Sequence, residues 1–322
     1  MDGGETWKNM GLKASEHISK IIVHPGNSEI IYVAAQGPLW SSGGDRGFYK
    51  SIDGGETWRK TLGDDILMGV TDIAIDPRDP QSLYAATWER HRTVAAVMDG
   101  SEATRIFQSQ DGGETWKKLK SGLPDGKWGK IGLAVSPLDP DVVYAAIELN
   151  RRTGGVWRST DRGVSWEKMS NTVAGATGPH YYQEIFACPH HFDRLYLMNN
   201  SLLRSDDGGK TFIHVNEKDK HGDNHHVTFK ASDPDYLLVS TDGGIYETFD
   251  EARTWRFMSN LPVTQYYKVA VDDAEPFYNI FGGTQDNSTQ SGPSRTDNLH
   301  GIRNSDWKVI LNWDGHQPAT CL

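Results

Sequence analysis

The chain has 322 residues, of which 37% are hydrophobic and 11 are tryptophan, so it can bury a large core and is neither disordered nor fibrous. A net charge of −10 and the lack of any block of Lys or Arg argue against nucleic acid as a partner. No apolar run approaches the ~18 residues of a membrane helix, so no insertion into a membrane is expected. The two cysteines are too few for a disulfide framework.

A short motif, Ser-x-Asp-x-Gly-x-Thr-Trp, recurs along the whole chain. It is preceded by the partial copy DGGETW at 2–7 and reads SIDGGETW at 51–58, SQDGGETW at 109–116, STDRGVSW at 159–166, SDDGGKTF at 205–212 and TFDEARTW at 248–255. The aspartates of the motif are Asp2, Asp53, Asp111, Asp161, Asp207 and Asp250. Successive aspartates are 51, 58, 50, 46 and 43 residues apart. This spacing suits one four-stranded sheet per repeat.

A second pattern recurs in phase with the motif: an alternating apolar strand, a Pro/Asp turn and a strand containing Tyr. Examples are IIVHPGNSEIIYVAA, IAIDPRDPQSLYAAT and LAVSPLDPDVVYAAI. With the strands before and after the Asp-Gly turn, each unit has four strands, and no amphipathic helix is evident. The pattern predicts an all-β fold, a β-propeller of six or seven blades, because radial closure protects the sheet edges. We expect residues 1–322 to form one propeller domain in which a strand at residues 6–10 closes the last blade.

The Asp motif itself is predicted to be structural. Asp and Gly favour a tight turn, the Asp side chain can bond to backbone amides within that turn, and the Trp can pack between sheets.

These residues carry a resemblance to known proteins. The motif resembles the Asp-box, or BNR, repeat of sialidases, xyloglucan hydrolases and sortilin-type receptors. The segments VAAQGPLWSSGGDRGFYKS, NLPVTQYYKVAVD, GGTQDNSTQSGPSRT and GIRNSDW resemble a bacterial family of large sortilin-like propeller proteins usually labelled BNR-repeat glycosyl hydrolases. The resemblance covers nearly the whole chain and implies a secreted or periplasmic protein, although the N-terminus shows no export signal.

In a propeller, the loop before the first strand of each blade and the loop after its second strand open on the face opposite the Asp boxes. The stretch KHGDNHH at 220–226 falls in such a loop. The candidates from loops before first strands are His180, Tyr181, Tyr182, Glu184, His221, Asp223, His225 and Tyr266. Those from loops after second strands are Trp88, Arg90, His91, Gln285 and Asp286.

Two carboxylates flanking a sugar bond can hydrolyse it, and we expect Glu184 and Asp223 to be that pair, with Asp286 as a substitute. The remaining candidates would bind the sugar, through aromatic faces of Tyr181, Tyr182, Tyr266 and Trp88 and through polar contacts of His180, His221, His225, Arg90, His91 and Gln285. This arrangement predicts a glycoside hydrolase without a cofactor that cleaves a β-linked sugar, such as a β-galactoside or a plant or algal glycan.

Three alternatives stay open at this point. His221, Asp223 and His225 alternate by two, so on an extended strand they could hold a divalent metal in a metal-dependent hydrolase. Tyr182 with Glu184 is similar to the nucleophile pair of sialidases. The resemblance to sortilin implies a non-catalytic propeller that binds peptides or proteins. An enzyme predicts a carboxyl with a shifted pKa in the axial pocket.

Overall fold

The computed structural model of the protein describes residues 3–150, 153–175, 178, 180–261 and 264–319. In this part of the chain, six antiparallel sheets follow one another, and the four main strands of each sheet lie side by side in sequence order. Each sheet corresponds to one sequence repeat, as expected for the blades of a propeller. The predicted all-β propeller fold is therefore confirmed.

The first three sheets span residues 18–170. The first contains β1 (Ile18–Val23), β2 (Ile31–Ala35), β3 (Gly47–Ser51) and β4 (Arg59–Leu62). The second contains β5 (Met68–Asp76), β6 (Asp79–Arg92), the short hairpin strand β7 (Val97–Asp99), β8 (Ile106–Ser109) and β9 (Lys117–Lys118). The third contains β10 (Ile131–Val135), β11 (Val143–Asn150), β12 (Thr153–Ser159) and β13 (Glu167–Ser170).

The last three sheets span residues 185–311. The fourth contains β14 (Ile185–Ala187), β15 (Leu195–Leu197), β16 (Leu203–Ser205) and β17 (Ile213–His214). The fifth contains β18 (Asn224–Lys230), β19 (Asp233–Thr241), β20 (Gly244–Thr248) and β21 (Arg256–Phe257). The sixth contains β22 (Lys268–Val271), β23 (Asn279–Gly283), β24 (Thr289–Pro293) and β25 (Lys308–Leu311).

Two short 3₁₀ helices, Lys13–Ser15 and Asn304–Asp306, accompany the strands. No helix in the described ranges is long and apolar enough to cross a membrane.

The Asp motif closes the turn between the third and fourth strands of the first five sheets. In the first sheet, Asp53 Oδ1 accepts hydrogen bonds from Ser51 Oγ (2.7 Å) and the Thr57 amide (2.9 Å), and its Oδ2 accepts one from Thr57 Oγ1 (2.6 Å). The same bonds recur around Asp111, Asp161, Asp207 and Asp250. The structural interpretation of these five copies is confirmed, whereas the copy at Asp2 lies outside the described residues.

Buried apolar side chains join neighbouring sheets from the first to the fifth. The cluster between the second and third sheets is the largest and includes Tyr84, Trp128 and Trp157. Comparable clusters join the first sheet to the second, the third to the fourth and the fourth to the fifth. The first strands of neighbouring sheets contact one another, β1 with β5, β5 with β10 and β10 with β14. First strands are therefore the inner strands of the blades.

The sixth sheet packs differently from the others. Its first and last strands leave apolar side chains at least half exposed, namely Val269, Val271, Val309, Ile310 and Leu311. Within the described ranges, no cluster of buried apolar side chains joins it to the fifth or the first sheet. Its contacts with the fifth sheet are polar, such as the hydrogen bond from Asn287 Nδ2 to the Asp242 carbonyl oxygen (2.8 Å).

The strand predicted at residues 6–10 is not formed. The fourth strand of the sixth sheet is β25, from later in the chain. Residues 6–10 lie instead against the first sheet, where Trp58 Nε1 donates to the Met10 carbonyl oxygen (2.6 Å) and Lys8 pairs with Glu56 (2.8 Å). The indole donor of the Asp-box Trp holds this segment in an irregular conformation, so the expected closure by these residues is wrong.

Candidate active site

The register of each sheet places the start of its first strand beside the end of its second. In the fifth sheet Asn224 pairs with Thr241, and in the sixth sheet Lys268 pairs with Gly283. The loops before first strands and after second strands therefore meet at one end of the molecule. We call this end the mouth; it carries the loops around Arg90, Asn200, Asp223 and Asp286. The Asp-box turns lie at the opposite end.

Asp223 is held by groups from two neighbouring sheets. Its Oδ1 accepts hydrogen bonds from Tyr182 Oη (2.6 Å) and Asn200 Nδ2 (2.5 Å). Its amide donates to the Asn200 carbonyl oxygen at 2.7 Å. Its Oδ2 lies 3.8 Å from His221 Nδ1. One carboxylate oxygen is therefore fully engaged, while the other faces the imidazole.

Asp286 lies in a cluster of carboxylates at the mouth of the sixth sheet. Burial raises the pKa of its carboxyl, and the negative charges of Asp314, Asp242 and Asp223 raise it further. The Asp286 amide donates to Asp314 Oδ1 at 2.9 Å, which fixes the two residues side by side. Burial and these neighbouring charges favour the protonated form of the Asp286 carboxyl. A carboxyl with this property is suited to act as a general acid.

The three-ligand metal site considered from the sequence is not assembled. Asp223 has a φ of 54°, in the left-handed region, so the extended conformation begins only at Asn224 and the alternation is broken. His225 Nε2 turns to Asp242 Oδ1 (2.7 Å), away from His221. In the ranges that the structure describes, no three His, Cys, Asp or Glu side chains are grouped so that they could hold a metal ion.

Glu184, predicted with Asp223 to flank the sugar bond, forms an ion pair with a lysine of the third sheet. Its Oε1 pairs with Lys130 Nζ of the third sheet at 2.5 Å, and the Lys130 side chain is buried. Its Oε2 is also buried and accepts no hydrogen bond from any described residue. Glu184 is therefore the ion-pair partner of a buried lysine on the neighbouring blade.

Trp88, Arg90 and His91 stand at the end of β6, where Trp88 is buried and Arg90 and His91 are half-buried. Trp88 is only 2% exposed, with the Arg90 guanidinium 5.0 Å and Lys130 Nζ 5.9 Å from its ring. Burial, and next the charge of Arg46, lower the pKa of Arg90 to about 10. The Arg90 Nε and Nη2 atoms and His91 Nδ1 are buried and have no hydrogen-bond partner in the described part of the chain.

The predicted tyrosines separate into buried and exposed groups. Tyr182 is 4% exposed and stacks on His225 with 5.5 Å between ring centroids, so it supports the carboxylate instead of offering a face. Tyr181 is 50% exposed and contacts the His180 ring (4.5 Å). Tyr266 is half-buried, with its hydroxyl donating to Gln290 Oε1 (3.2 Å).

Gln285 is exposed beside Asp286, and Tyr267 Oη donates to its Oε1 at 2.7 Å. Tyr267 is itself 49% exposed.

A cavity of about 680 Å³ opens between the mouth loops of the second and third sheets. His180 lines it together with Asp99, Trp128 and Glu148. His180 Nδ1 lies 3.6 Å from Asp99 Oδ2. His180 therefore belongs to this cavity.

A buried lysine that the sequence interpretation missed anchors the loop of Asp223. The Lys220 side chain is fully buried, and its Nζ donates to Glu217 Oε1 (2.7 Å), the His221 carbonyl oxygen (2.8 Å) and Asn224 Oδ1 (2.5 Å). Asn224 Nδ2 in turn donates to the Asn199 carbonyl oxygen (3.1 Å), which ties the loop to the fourth sheet. Asn200 and Asp314 were also missed.

A model of the Sortilin-Vps10 family, described as "Sortilin, neurotensin receptor 3", matches residues 1–153 and 154–300. The chain belongs to the Sortilin-Vps10 family. The family match covers all six sheets up to the last strand, in agreement with the resemblance of the Asp boxes.

Curated relatives of this family member are xyloglucanases. Xyloglucanase Xgh74A of Acetivibrio thermocellus is 29% identical over 245 residues, which cover 66% of this chain and 28% of the relative. A xyloglucanase of a Paenibacillus species is 25% identical over 317 residues, covering 84% of this chain and 29% of the relative. The chain therefore spans less than a third of the length of these relatives.

Among solved structures, the GH74 xyloglucanase of Xanthomonas campestris is similar in fold. It superposes with a TM-score of 0.57 at 20% identity, over 92% of this chain and 46% of that chain. This likeness supports the propeller fold.

Proposed function

We propose that this propeller carries a glycoside hydrolase site for a xyloglucan-like glycan, with Asp286 as the general acid and Asp223 as its carboxylate partner. The observation that carries the proposal is the raised pKa of Asp286 beside the hydrogen-bonded carboxylate of Asp223. Glycosidases use one protonated and one ionised carboxyl on either side of the scissile bond. The sequence left a β-galactoside and a plant or algal glycan open, and the names of the curated relatives support xyloglucan and not a β-galactoside.

The proton transfers of glycoside hydrolysis can be written with Asp286 as the acid and Asp223 as its partner. Asp286 donates its proton to the glycosidic oxygen as the bond between that oxygen and the anomeric carbon breaks. Asp223 either bonds to the anomeric carbon or takes a proton from the water that attacks it. Asp286 is thereby ionised. If Asp223 has bonded to the anomeric carbon, a water molecule breaks that bond in a second step, and Asp286 accepts the proton of that water.

Exposed groups beside the two carboxylates are suited to hold sugar rings. Tyr181 and Tyr267 each expose about half of their surface at the mouth, and Gln285 is exposed next to Asp286. Aromatic faces bind the apolar faces of pyranose rings, and an amide can donate to or accept from hydroxyl groups. The buried Trp88 and Tyr182 have no such role in this proposal.

The test is the release of reducing ends from soluble xyloglucan by the purified chain. We expect the wild type to be active and Asp286→Asn and Asp223→Asn to lose about 100-fold or more in kcat, because each removes one half of the acid–base pair. Glu184→Gln should lose far less. Asp297→Asn, the same substitution at an exposed position of the sixth sheet, is the matched control and should leave kcat unchanged.

A wild type that binds xyloglucan oligosaccharides but releases no reducing ends would contradict the proposal and favour the non-catalytic alternative. Full activity in both Asp286→Asn and Asp223→Asn would also contradict it. Activity lost only in Glu184→Gln would return the catalytic role to the residue expected from the sequence.

A further inference from the structure

Asn200 contacts Asp223 through both its side chain and its backbone. It lies in the turn between β15 and β16 of the fourth sheet, whereas Asp223 precedes the first strand of the fifth. Its Nδ2 donates to Asp223 Oδ1 (2.5 Å), and its carbonyl oxygen accepts the Asp223 amide (2.7 Å). The same carbonyl oxygen accepts Asn224 Nδ2 at 3.2 Å. Asn200 of the fourth sheet therefore makes three contacts with the loop that carries Asp223.

The side chain of Asn200 also orients the hydroxyl group of Tyr182. Asn200 Nδ2 donates to Tyr182 Oη at 3.1 Å, and Tyr182 Oη lies 2.6 Å from Asp223 Oδ1. Because the phenol oxygen accepts from Asn200, its own hydrogen is free to point at the carboxylate. Two donors then converge on Oδ1, and rotation of the Asp223 carboxylate is restricted, with Oδ2 turned towards His221.

We propose that Asn200 is a positioning residue of the reaction, which holds the Asp223 carboxylate in one orientation through its amide group. The inference rests on the proposed function for its catalytic consequence, but the hydrogen bonds that carry it do not. An amide is required at this position, because a carboxylate here would repel Asp223, and a methyl group would leave Oδ1 with the phenol alone. Asn200 acts through Asp223 and is given no contact with the sugar.

Several charged groups face Asp223 and are kept constant in the test. They are His221 on the same loop, Lys220 beneath it and Asp286 from the sixth sheet. None of them is altered by a substitution at Asn200. A change in the titration of Asp223 in Asn200→Ala is therefore attributable to the lost amide donor, whereas Asn200→Asp also adds a negative charge beside it.

The experiment compares wild type with Asn200→Ala and the isosteric Asn200→Asp by NMR of Asp carboxyl carbons labelled with ¹³C, with the Asp223 signal assigned from Asp223→Asn. Hydrogen bonds to an ionised group favour the charged form, so we expect Asp223 to titrate roughly one pH unit higher in both variants. Because Asp223 must be ionised for catalysis, the acidic limb of the kcat/KM profile on xyloglucan should move up by the same amount, with KM nearly constant.

Asn279→Ala is the matched control, because Asn279 Nδ2 donates to Asp272 Oδ2 (2.8 Å) in the sixth sheet, at the end away from the mouth. It should move the titration of Asp272 and leave Asp223 unchanged. If Asp223 moves but wild type hydrolyses no xyloglucan, the proposed function fails and the positioning contact stands. If Asp223 titrates as in wild type in both Asn200 variants, the inference is overturned, whatever the activity.

Discussion

The two ends of this propeller place the same side chain in opposite environments. At the Asp-box end, Asp111 accepts hydrogen bonds from Ser109 Oγ, the Glu114 amide and both the amide and hydroxyl of Thr115. Those bonds lower the pKa of Asp111 to about 2, with the Thr115 hydroxyl contributing most. At the mouth, the carboxyl of Asp286 accepts no hydrogen bond from a described residue, and burial and neighbouring carboxylates raise its pKa.

The difference shows that the supply of donors, more than burial alone, decides what an aspartate does in this fold. A repeated turn brings its own donors, because Ser, Thr and two amides lie within four residues of the Asp. The mouth is built from loops of different sheets. The pKa of a carboxyl there therefore depends on the donors and charges that the loops of neighbouring sheets place beside it. At the first end the aspartates brace a turn, and at the second the carboxyl of Asp286 has the environment that the proposed acid–base role requires.

The largest effect on stability is expected from the anchor of the mouth, Lys220. Lys220→Met leaves the partly buried Glu217 and the buried Asn224 without their cationic partner, and removing one member of a buried ion pair costs roughly 3–5 kcal/mol. We expect a clear fall in the free energy of unfolding, measured with urea, together with loss of xyloglucan hydrolysis. Lys218→Met, at an exposed position of the same loop, is the control. Equal stability of the two variants would contradict the anchoring role.

A smaller loss is expected at the Asp-box end. Asp111→Ala removes the carboxylate that accepts the hydrogen bonds of the turn. Because this carboxylate is partly exposed, we expect a cost of about 1–2 kcal/mol with kcat unchanged. Because the folded pKa is lowered, this contribution is present above the usual Asp pKa and is lost as the pH falls through about 2. The difference in unfolding free energy between wild type and Asp111→Ala should therefore shrink from pH 4 towards pH 2. Asp64→Ala, an exposed aspartate, should show no such difference at any pH.

The negative charge around Asp286 can be reduced without substituting Asp286 itself. Asp314→Asn removes one of the negative charges that raise the pKa of Asp286, so the carboxyl should lose its proton at lower pH. We expect the basic limb of the kcat/KM profile to move down by roughly half a pH unit to one unit. A basic limb at the same pH in Asp314→Asn and in wild type would show that the neighbouring carboxylates do not set the pKa of Asp286.

The smallest predicted effect is a gain in stability. A carboxyl whose folded pKa is raised destabilises the native state at neutral pH, and this cost disappears once the pH falls below the usual Asp pKa. Asp286→Asn relieves the repulsion, and we expect its Tm at pH 7 to rise by roughly 1–2 °C. At pH 3 its Tm should equal that of wild type. A lower Tm at pH 7 would indicate that the Asp286 carboxyl stabilises the fold.

The sheets could be predicted from the sequence because their determinants are local. The bonds of Asp53 to Ser51 and Thr57 span at most four residues, so the motif repeats in the sequence wherever it repeats in space. No strand forms at residues 6–10. The hydrogen bond that holds this segment comes from Trp58 Nε1, which is distant in the sequence.

The mouth was predicted only in outline. The propeller topology brings the candidate loops to one end, but which side chains meet depends on contacts between sheets. Tyr182 turned out to be a partner of Asp223, and Glu184 of Lys130, across a blade boundary in each case. The left-handed backbone of Asp223 broke the alternation on which the metal hypothesis depended. Asn200 could have been suspected, because it follows the second strand of its unit as Gln285 and Asp286 follow theirs.

The central claim is that Asp286 supplies the proton in glycoside cleavage, and its most direct test is the pH dependence of kcat/KM for xyloglucan. Wild type should show a basic limb, because activity falls as Asp286 loses its proton. Asp286→Asn should retain only a weak residual rate without that limb. An Asp286→Asn variant with the wild-type rate and the same basic limb would contradict the claim.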